Sequence, residues 1–305
     1  MSDFAHTGQA FELRFLSNRP LPEMSPVAEL RAGDDPPVLI EWAPPGTAAP
    51  PCEPGVSFQA TDGRLQLQVA DVASYDIAAH RIEVVPAAGA DDRSVRAYLF
   101  GSAVGALLYW RGRSVLHGST VGLPDGSAAV FCGHSTAGKS TLAAALGTRG
   151  YPVLADDITA VRVDADGQAW CLPGLARTKL WRDALDKLGL SERTSASSRV
   201  LPHIDKHALA MTTAVHALPL RRFYELQVDE LGELAFAAIT GMAKLHVLMS
   251  HAYRPEFVQA MGLQAALMRG SAALAPRLQV SRIVRPRHVP TLDAIVAWLE
   301  GQWAA

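Results

Sequence analysis

Eight consecutive residues carry the chemistry that is easiest to read in this chain: Gly133-His134-Ser135-Thr136-Ala137-Gly138-Lys139-Ser140. They follow G-x-x-x-x-G-K-[ST], the pattern of a phosphate-binding loop. Glycine at its fixed positions lets backbone amides wrap closely around phosphate oxygens, which sit against the positive end of the following helix. In that arrangement Lys139 reaches the terminal phosphates, Ser140 holds Mg2+, and Thr141 extends the nucleotide-contacting set. By chance the four fixed positions recur in roughly one chain of this length in a hundred. The flanks argue further against chance. Ser127 to Cys132 reads as a short buried strand and Thr141 to Leu146 as a strong helix former, the order the motif needs.

Two further groups give the loop a reaction. Asp156-Asp157 lies 17 and 18 residues after Lys139, at the end of an apolar strand. In phosphate-loop proteins an Asp from a neighbouring strand completes the Mg2+ site, and a second carboxylate can take the proton of an attacking hydroxyl. His117, in His117-Gly118-Ser119, precedes the loop by one hairpin and can lie on the strand beside it, where an imidazole can hold a carboxylate's geometry. The bland alternatives are a surface Asp-Asp turn and a satisfied core histidine.

The elements that must position these groups divide the chain in two. Residues 1–90 read as a small β-rich N-terminal domain. The segments 11–16, 38–42, 64–69 and 81–85 have strand character, and a proline-rich surface loop covers 43–54. Residues 91–305 read as the catalytic domain. It opens with a helix over 93–110 whose Gly101-x-x-x-Gly105 suggests close backbone packing. A strand over 113–122, a turn at 123–126 and the strand before the loop follow. Further on, strands are expected over 152–155, 158–163, 168–172, 221–228 and 278–284. Helices are expected over 178–190, 240–250, 257–270 and 291–303, and 191–199 has the composition of a mobile loop.

Composition removes several function classes. A net charge of −2 gives no electrostatic reason to expect nucleic acid or an anionic membrane as partner. The longest apolar run, 98–110, is too short to span a bilayer. Three scattered cysteines without C-x-x-C, and a start that lacks a signal peptide's basic and apolar stretches, predict a cytoplasmic protein. Cys132 reads as a small buried residue. The only asparagine is Asn18, so the Asn-Lys-x-Asp guanine-reading motif of a GTPase is missing. His203 and His207, four apart, form a possible metal pair with no third ligand at a recognisable spacing; a surface pair is the plainer reading.

The run Gly133 to Asp157, with a helix ending in Arg149-Gly150 and a strand ending in Ala155-Asp156-Asp157, resembles the core of the HPr serine kinase/phosphorylase family. The upstream His117-Gly118 also matches that family's histidine. Over 168–300 the chain is more similar to the HPr-kinase-related branch that includes lasso-peptide precursor kinases. The resemblance implies an α/β fold akin to phosphoenolpyruvate carboxykinase: a P-loop kinase core with a mixed sheet, joined here to the β-rich N-terminal domain. It implies phosphoryl transfer from ATP, with Mg2+, to a serine hydroxyl of a peptide or protein. On this reading Asp156 is the general base oriented by His117, with Asp157 on the metal side, although the sequence alone does not fix which Asp does which. A basic residue near the transferred phosphoryl is drawn from Arg177, Lys179, Arg199 and Lys206, with Lys206 and Arg177 favoured. The region 169–179 departs from the HPr-specific enzymes by lacking an acidic residue, which weighs against HPr as acceptor and against phosphorolysis. A small-molecule hydroxyl kinase and a non-catalytic nucleotide-binding module are the alternatives. The N-terminal domain is expected to serve as a substrate-binding or assembly surface, and a homo-oligomer is allowed.

Overall fold

The computed structural model describes residues 4–25, 35–44, 46–49, 52–175, 177–201, 204–211, 214, 216–230 and 232–304. His203 lies outside them.

The N-terminal strands form one sheet. They are β1 (His6–Ala10), β2 (Leu13–Ser17), β3 (Val38–Trp42), β4 (Val56–Thr61), β5 (Arg64–Val69), β6 (Ala73–Ala78) and β7 (Arg81–Pro86). Their order is β1-β2-β3-β7-β6-β5-β4. The period-2 pattern places Leu65, Leu67 and Val69 on the buried face and Arg64, Gln66 and Gln68 on the other. That buried face is not closed off within the sheet. Its core runs continuously into helices α1 (Asp92–Tyr98) and α2 (Val104–Trp110) and on to Ile158, Ala160 and Tyr253.

The helical run 92–110 is capped by Asp91, whose carboxylate accepts from the Ser94 amide at 2.9 Å. Between α1 and α2, Leu99–Ala103 widens into a π-helical turn. The Gly101/Gly105 expectation of close packing has a specific partner. A Cβ on Gly105 would sit 2.6 Å from Cε1 of the Tyr253 ring.

The second sheet is mixed. It contains β8 (Ser114–Gly122), β9 (Ala128–Gly133), β10 (Val153–Ala155), β11 (Ile158–Val163), β12 (Ala169–Cys171), β15 (Leu218–Asp229), β16 (Ala235–Ile239) and β17 (Gln279–Pro286). A two-stranded ribbon, β13 (Arg177–Trp181) with β14 (Lys206–Ala210), stands beside it. β9, β15 and β17 are mutually parallel, while β8 runs antiparallel to β9, as the hairpin reading of 113–133 expects. β10 and β11 are two lengths of one strand against β8, interrupted by the Asp pair. Strands β8, β9, β15, β12 and β11 close a ring of pairings.

The remaining helices are α3 (Lys139–Thr148), α4 (Arg182–Lys187), α5 (Met242–Ser250), α6 (Pro255–Ala260), α7 (Gln264–Leu274) and α8 (Leu292–Ala304). Both faces of the central strands are covered. Phe131 and Tyr224 pack toward Leu142 and Leu146 of α3 and Leu299 of α8, while Val130, Cys132 and Phe223 pack toward Leu248 of α5. Burial on both faces explains why β9 reads as an unbroken apolar run. None of the helices among the described residues is long and apolar enough to cross a membrane.

One expected element changes type. The helix expected over 178–190 is a strand through Trp181 and a helix only from Arg182. Thr178 and Leu180 are buried while Arg177 and Lys179 lie half-buried on the opposite face, the alternation of a strand. This change decides where Lys179 points.

Candidate functional site

Residues 133–140 form the turn between β9 and α3. Gly133 has φ of 153° and Gly138 a φ of 104°, and a Cβ on Gly133 would run into the Leu226 carbonyl. Only glycine fits such positions without strain. The Lys139 ammonium folds back onto the loop and donates to the carbonyls of Gly133 at 2.9 Å and His134 at 3.1 Å. Burial lowers its pKa from the ordinary lysine value, against the pull of Asp156 and Asp157. From the end of β17, Arg285 clasps the outside of the loop, donating to Ala137 O at 3.0 Å and Thr136 O at 3.2 Å. Sequence reasoning missed Arg285, since nothing marks it until β17 is placed beside β15.

At the foot of the loop, Ser140 Oγ donates to Asp156 Oδ1 at 2.8 Å, and Ser119 Oγ donates to the same oxygen at 2.6 Å. The other Asp156 oxygen accepts the backbone amide of Lys179 at 2.8 Å. Asp157 turns the other way, with φ of 74°, a left-handed conformation that Asp tolerates better than most residues. Its carboxylate takes the Lys179 ammonium at 2.8 Å and stands 3.4 Å from His117 Nδ1. That nitrogen is also 3.1 Å from the Asp157 carbonyl, an acceptor, which puts the imidazole proton on Nδ1.

The expected pairing of His117 with Asp156 is not the one observed: Ser140 meets Asp156, and His117 meets Asp157. The cause is register. Ala155 pairs with Thr120 and Ile158 with His117, so Asp156 falls opposite Ser119. The left-handed turn at Asp157 then throws its side chain to the opposite side, over His117 and Lys179.

The electrostatics follow from these contacts. Burial works to raise Asp157, but the Lys179 ammonium outweighs it, with His117 adding, and holds the carboxyl well below its usual range. Burial works to lower Lys179, and Asp157 reverses that and raises it. His117 is lowered, first by burial and then by Lys139, against the pull of Asp157.

Of the basic candidates, Lys179 makes the contact. Arg177 lies on the same strand face, but its guanidinium is turned to Glu23 at 3.6 Å and the Pro22 carbonyl at 3.2 Å. Lys206, opposite Trp181 on β14, holds its ammonium 5.8 Å from that ring's centre; it lies within electrostatic reach of Asp157 and Lys139 without bonding either. Arg199 pairs with Asp205 at 3.3 Å. His207, read as half of a surface pair, is instead buried, bonded to Ser198 and Asp205 at 2.8 Å each. Tyr253 was also missed. Its ring lies 5.9 Å from that of His117, in the groove left by Gly101 and Gly105.

Beneath the loop lies a second buried ionic group. Glu225 accepts from His251 at 3.3 Å and Arg282 at 2.7 Å. Burial works to raise Glu225, yet those two hydrogen bonds prevail and hold it down at about 2. The backbone carbonyl of His251 accepts the His117 amide at 2.9 Å, which ties this group to β8.

Comparison with protein-family models gives no match, and comparison with curated proteins gives none. Among solved structures, the chain is similar to the HPr(Ser) kinase/phosphatase from Coxiella burnetii, at 12% identity and a TM-score of 0.32. The similarity covers 62% of this chain and 94% of that one.

Proposed function

We propose that this chain is an ATP-dependent phosphotransferase that moves the γ-phosphoryl group to a hydroxyl. The observation that carries the reading is the 2.8 Å contact between Ser140 and Asp156 at the foot of a glycine loop, with Asp157 and Lys179 beside it. A simple phosphate-binding turn needs no carboxylate there, whereas a kinase needs one for the metal and one for the acceptor.

The donor set suits Mg2+. The Ser140 hydroxyl and the Asp156 carboxylate are hard oxygen ligands, and such sites take one or two protein oxygens and fill the rest with phosphates and water. Among the described residues, no cluster of three or more His, Cys, Asp or Glu offers a dedicated metal cage. Held by Ser140 and Asp156, Mg2+ would offset the charge of the phosphates.

The chain's own residues do the remainder. The amides of 133–141 cradle the phosphates at the positive end of α3, and Lys139 leaves its two carbonyls to meet the terminal phosphates. Asp157 is placed to accept the proton of the attacking hydroxyl as the new O–P bond forms and the bond to the leaving ADP breaks. Its low basicity matches a loose transition state in which the proton leaves late. Lys179 offsets the charge spread over the moving phosphoryl group, with Lys206 within reach. His117 holds Asp157 by its Nδ1 proton.

The acceptor we favour is a serine-type hydroxyl on a peptide or protein, from the resemblance of 168–300 to the peptide-tailoring branch. Incubation with γ-labelled Mg·ATP and two panels, serine peptides and free hydroxyl metabolites, tests this. Label on the peptides supports the full reading. Label only on the metabolites removes the peptide acceptor, and nucleotide binding with no transfer to either panel removes the kinase.

A further inference from the structure

Two irregular pieces of backbone meet directly under the Asp pair. The first is the turn between β1 and β2. Ala10 pairs with Leu13, so the loop has only two residues, Phe11 and Glu12, with φ of 56° and 58°. Such turns select Asn-Gly, because both positions are left-handed. A bulky aromatic there is a conformational outlier that persists only where the surroundings hold it. Here they do: Phe11 is 2% exposed, and its amide donates to the Pro173 carbonyl. The ring lies against Gly174, where a Cβ would come within 3.0 Å of Phe11 and 3.1 Å of the Ala155 methyl. Gly174 in turn donates to the Leu154 carbonyl at 2.8 Å, so Phe11 bears on the strand that ends in Asp156.

The second is the π-helical turn 99–103, which contributes Phe100. Such turns are frequent at functional sites. Phe11 and Phe100, with Ile158 and Leu175, line a cavity of about 10 Å3 whose other walls are Asp156, Asp157, Arg177 and Lys179. That volume is at the lower limit for a single water molecule.

We propose that Phe11 and Phe100 are positioning residues of the Asp156–Asp157–Lys179 site, so that the N-terminal sheet completes the transfer site rather than only presenting an outer surface. They form an apolar floor that fixes residues 173–175 and 177–179, and with them the Lys179 amide on Asp156 and the Lys179 ammonium on Asp157. A low-dielectric floor also strengthens that ion pair. If the hairpin served only its own sheet, Asn or Gly at position 11 would close the turn with less strain, and nothing would require a ring.

The inference rests on the phosphotransferase reading, and the test separates the two. Full-length wild type, Phe11→Ala, Phe11→Leu and Glu12→Gly are compared for affinity toward a fluorescent ATP analogue with Mg2+, for turnover of Mg·ATP, and for amide hydrogen exchange. Phe11→Ala is expected to lower kcat by about a hundredfold, the cost of a misplacement near 1 Å, with ATP KM and analogue affinity unchanged within about twofold. Phe11→Leu, which keeps most of the volume, is expected to recover part of kcat. Glu12→Gly relieves the second left-handed residue but removes the ion pair of Glu12 with Arg162 at 3.0 Å; it is expected to keep wild-type turnover. In both Phe11 variants, exchange should quicken over 173–179 and stay unchanged over 133–140. Turnover in Phe11→Ala within about twofold of wild type overturns the proposal, as does an equal loss of kcat and ATP affinity. If Phe11→Ala does not fold, Phe11→Leu decides on the same criteria. If wild type binds the analogue but turns nothing over, the phosphotransferase reading falls. The positioning role is then judged on exchange alone, and uniform change across both segments overturns it.

Discussion

The phosphate loop and the Asp157–Lys179–His117 group sit side by side but are built in opposite ways. The loop is contiguous: Gly133 to Ser140 carries its own turn, its own cation and the start of its own helix. The transfer group is assembled from β8, the β10–β11 junction and β13, and it stands on residues from the N-terminal hairpin and a π-helical turn. On the proposed reading, holding a nucleotide would be a local property here, whereas transferring from it would depend on tertiary packing. A variant of this chain can therefore keep the first and lose the second.

The sharpest way to break that comparison is to separate the two carboxylates. Asp157→Asn is expected to lower transfer by about 10²–10⁴-fold, the range for a general base, while nucleotide affinity measured by calorimetry stays near wild type. Asp156→Asn is expected instead to remove the Mg2+ dependence of that affinity. Should Asp156→Asn leave Mg2+-dependent binding intact while Asp157→Asn transfers normally, the assignment of the two roles is wrong. A smaller effect comes from the loop itself. Lys139→Ala should weaken ATP binding about tenfold to a hundredfold, matching hydrogen bonds to a charged group of ~1.5–3 kcal/mol, without altering the exchange protection of 173–179.

Gly133→Ala should cost about 1–3 kcal/mol in denaturant unfolding, because the methyl meets the Leu226 carbonyl. It should also weaken ATP binding, since loop and strand end share that residue. The smallest expected effect is on acid stability. Glu225 is depressed to about 2 in the folded chain, so the stability it contributes is full above its unfolded value of about 4.3. It is lost as the pH falls through about 2. In Glu225→Gln, the slope of unfolding free energy between those pH values should flatten. An unchanged slope would remove the ionic account of the cluster beneath the loop.

Local features were legible in the sequence. The glycine-lysine spacing marked the strand–loop–helix, and the hairpin from His117 into β9 followed from the Leu123-Pro-Asp-Gly126 turn. The position of the Asp pair at a strand junction was also readable. What escaped has physical causes. Lys179 was passed over because Thr178 to Leu190 has helical composition, and only pairing with β14 makes its first residues a strand. Which Asp meets Ser140 and which meets His117 was not legible, because a left-handed φ at position 157 leaves no trace in residue order. β1, β6, β14 and β16 went unread because HTGQA, ASYDIA, KHALA and AFAAI are short and rich in small or polar residues. Nothing in residue order marks Phe11, Phe100 or Tyr253, and only their neighbours tie them to the site.

The Lys139 ammonium, already seated on the Gly133 and His134 carbonyls, has a thermodynamic consequence. Fixing a free lysine side chain costs roughly 1.5–2 kcal/mol of rotamer entropy. Here that ordering is completed during folding, so on the proposed reading an incoming phosphate would exchange one set of acceptors for another and immobilise little that was free. Binding at this lysine should therefore carry a small entropic penalty and a modest enthalpy. Its discrimination would come from the negative charge of the phosphate, which the two carbonyl dipoles lack.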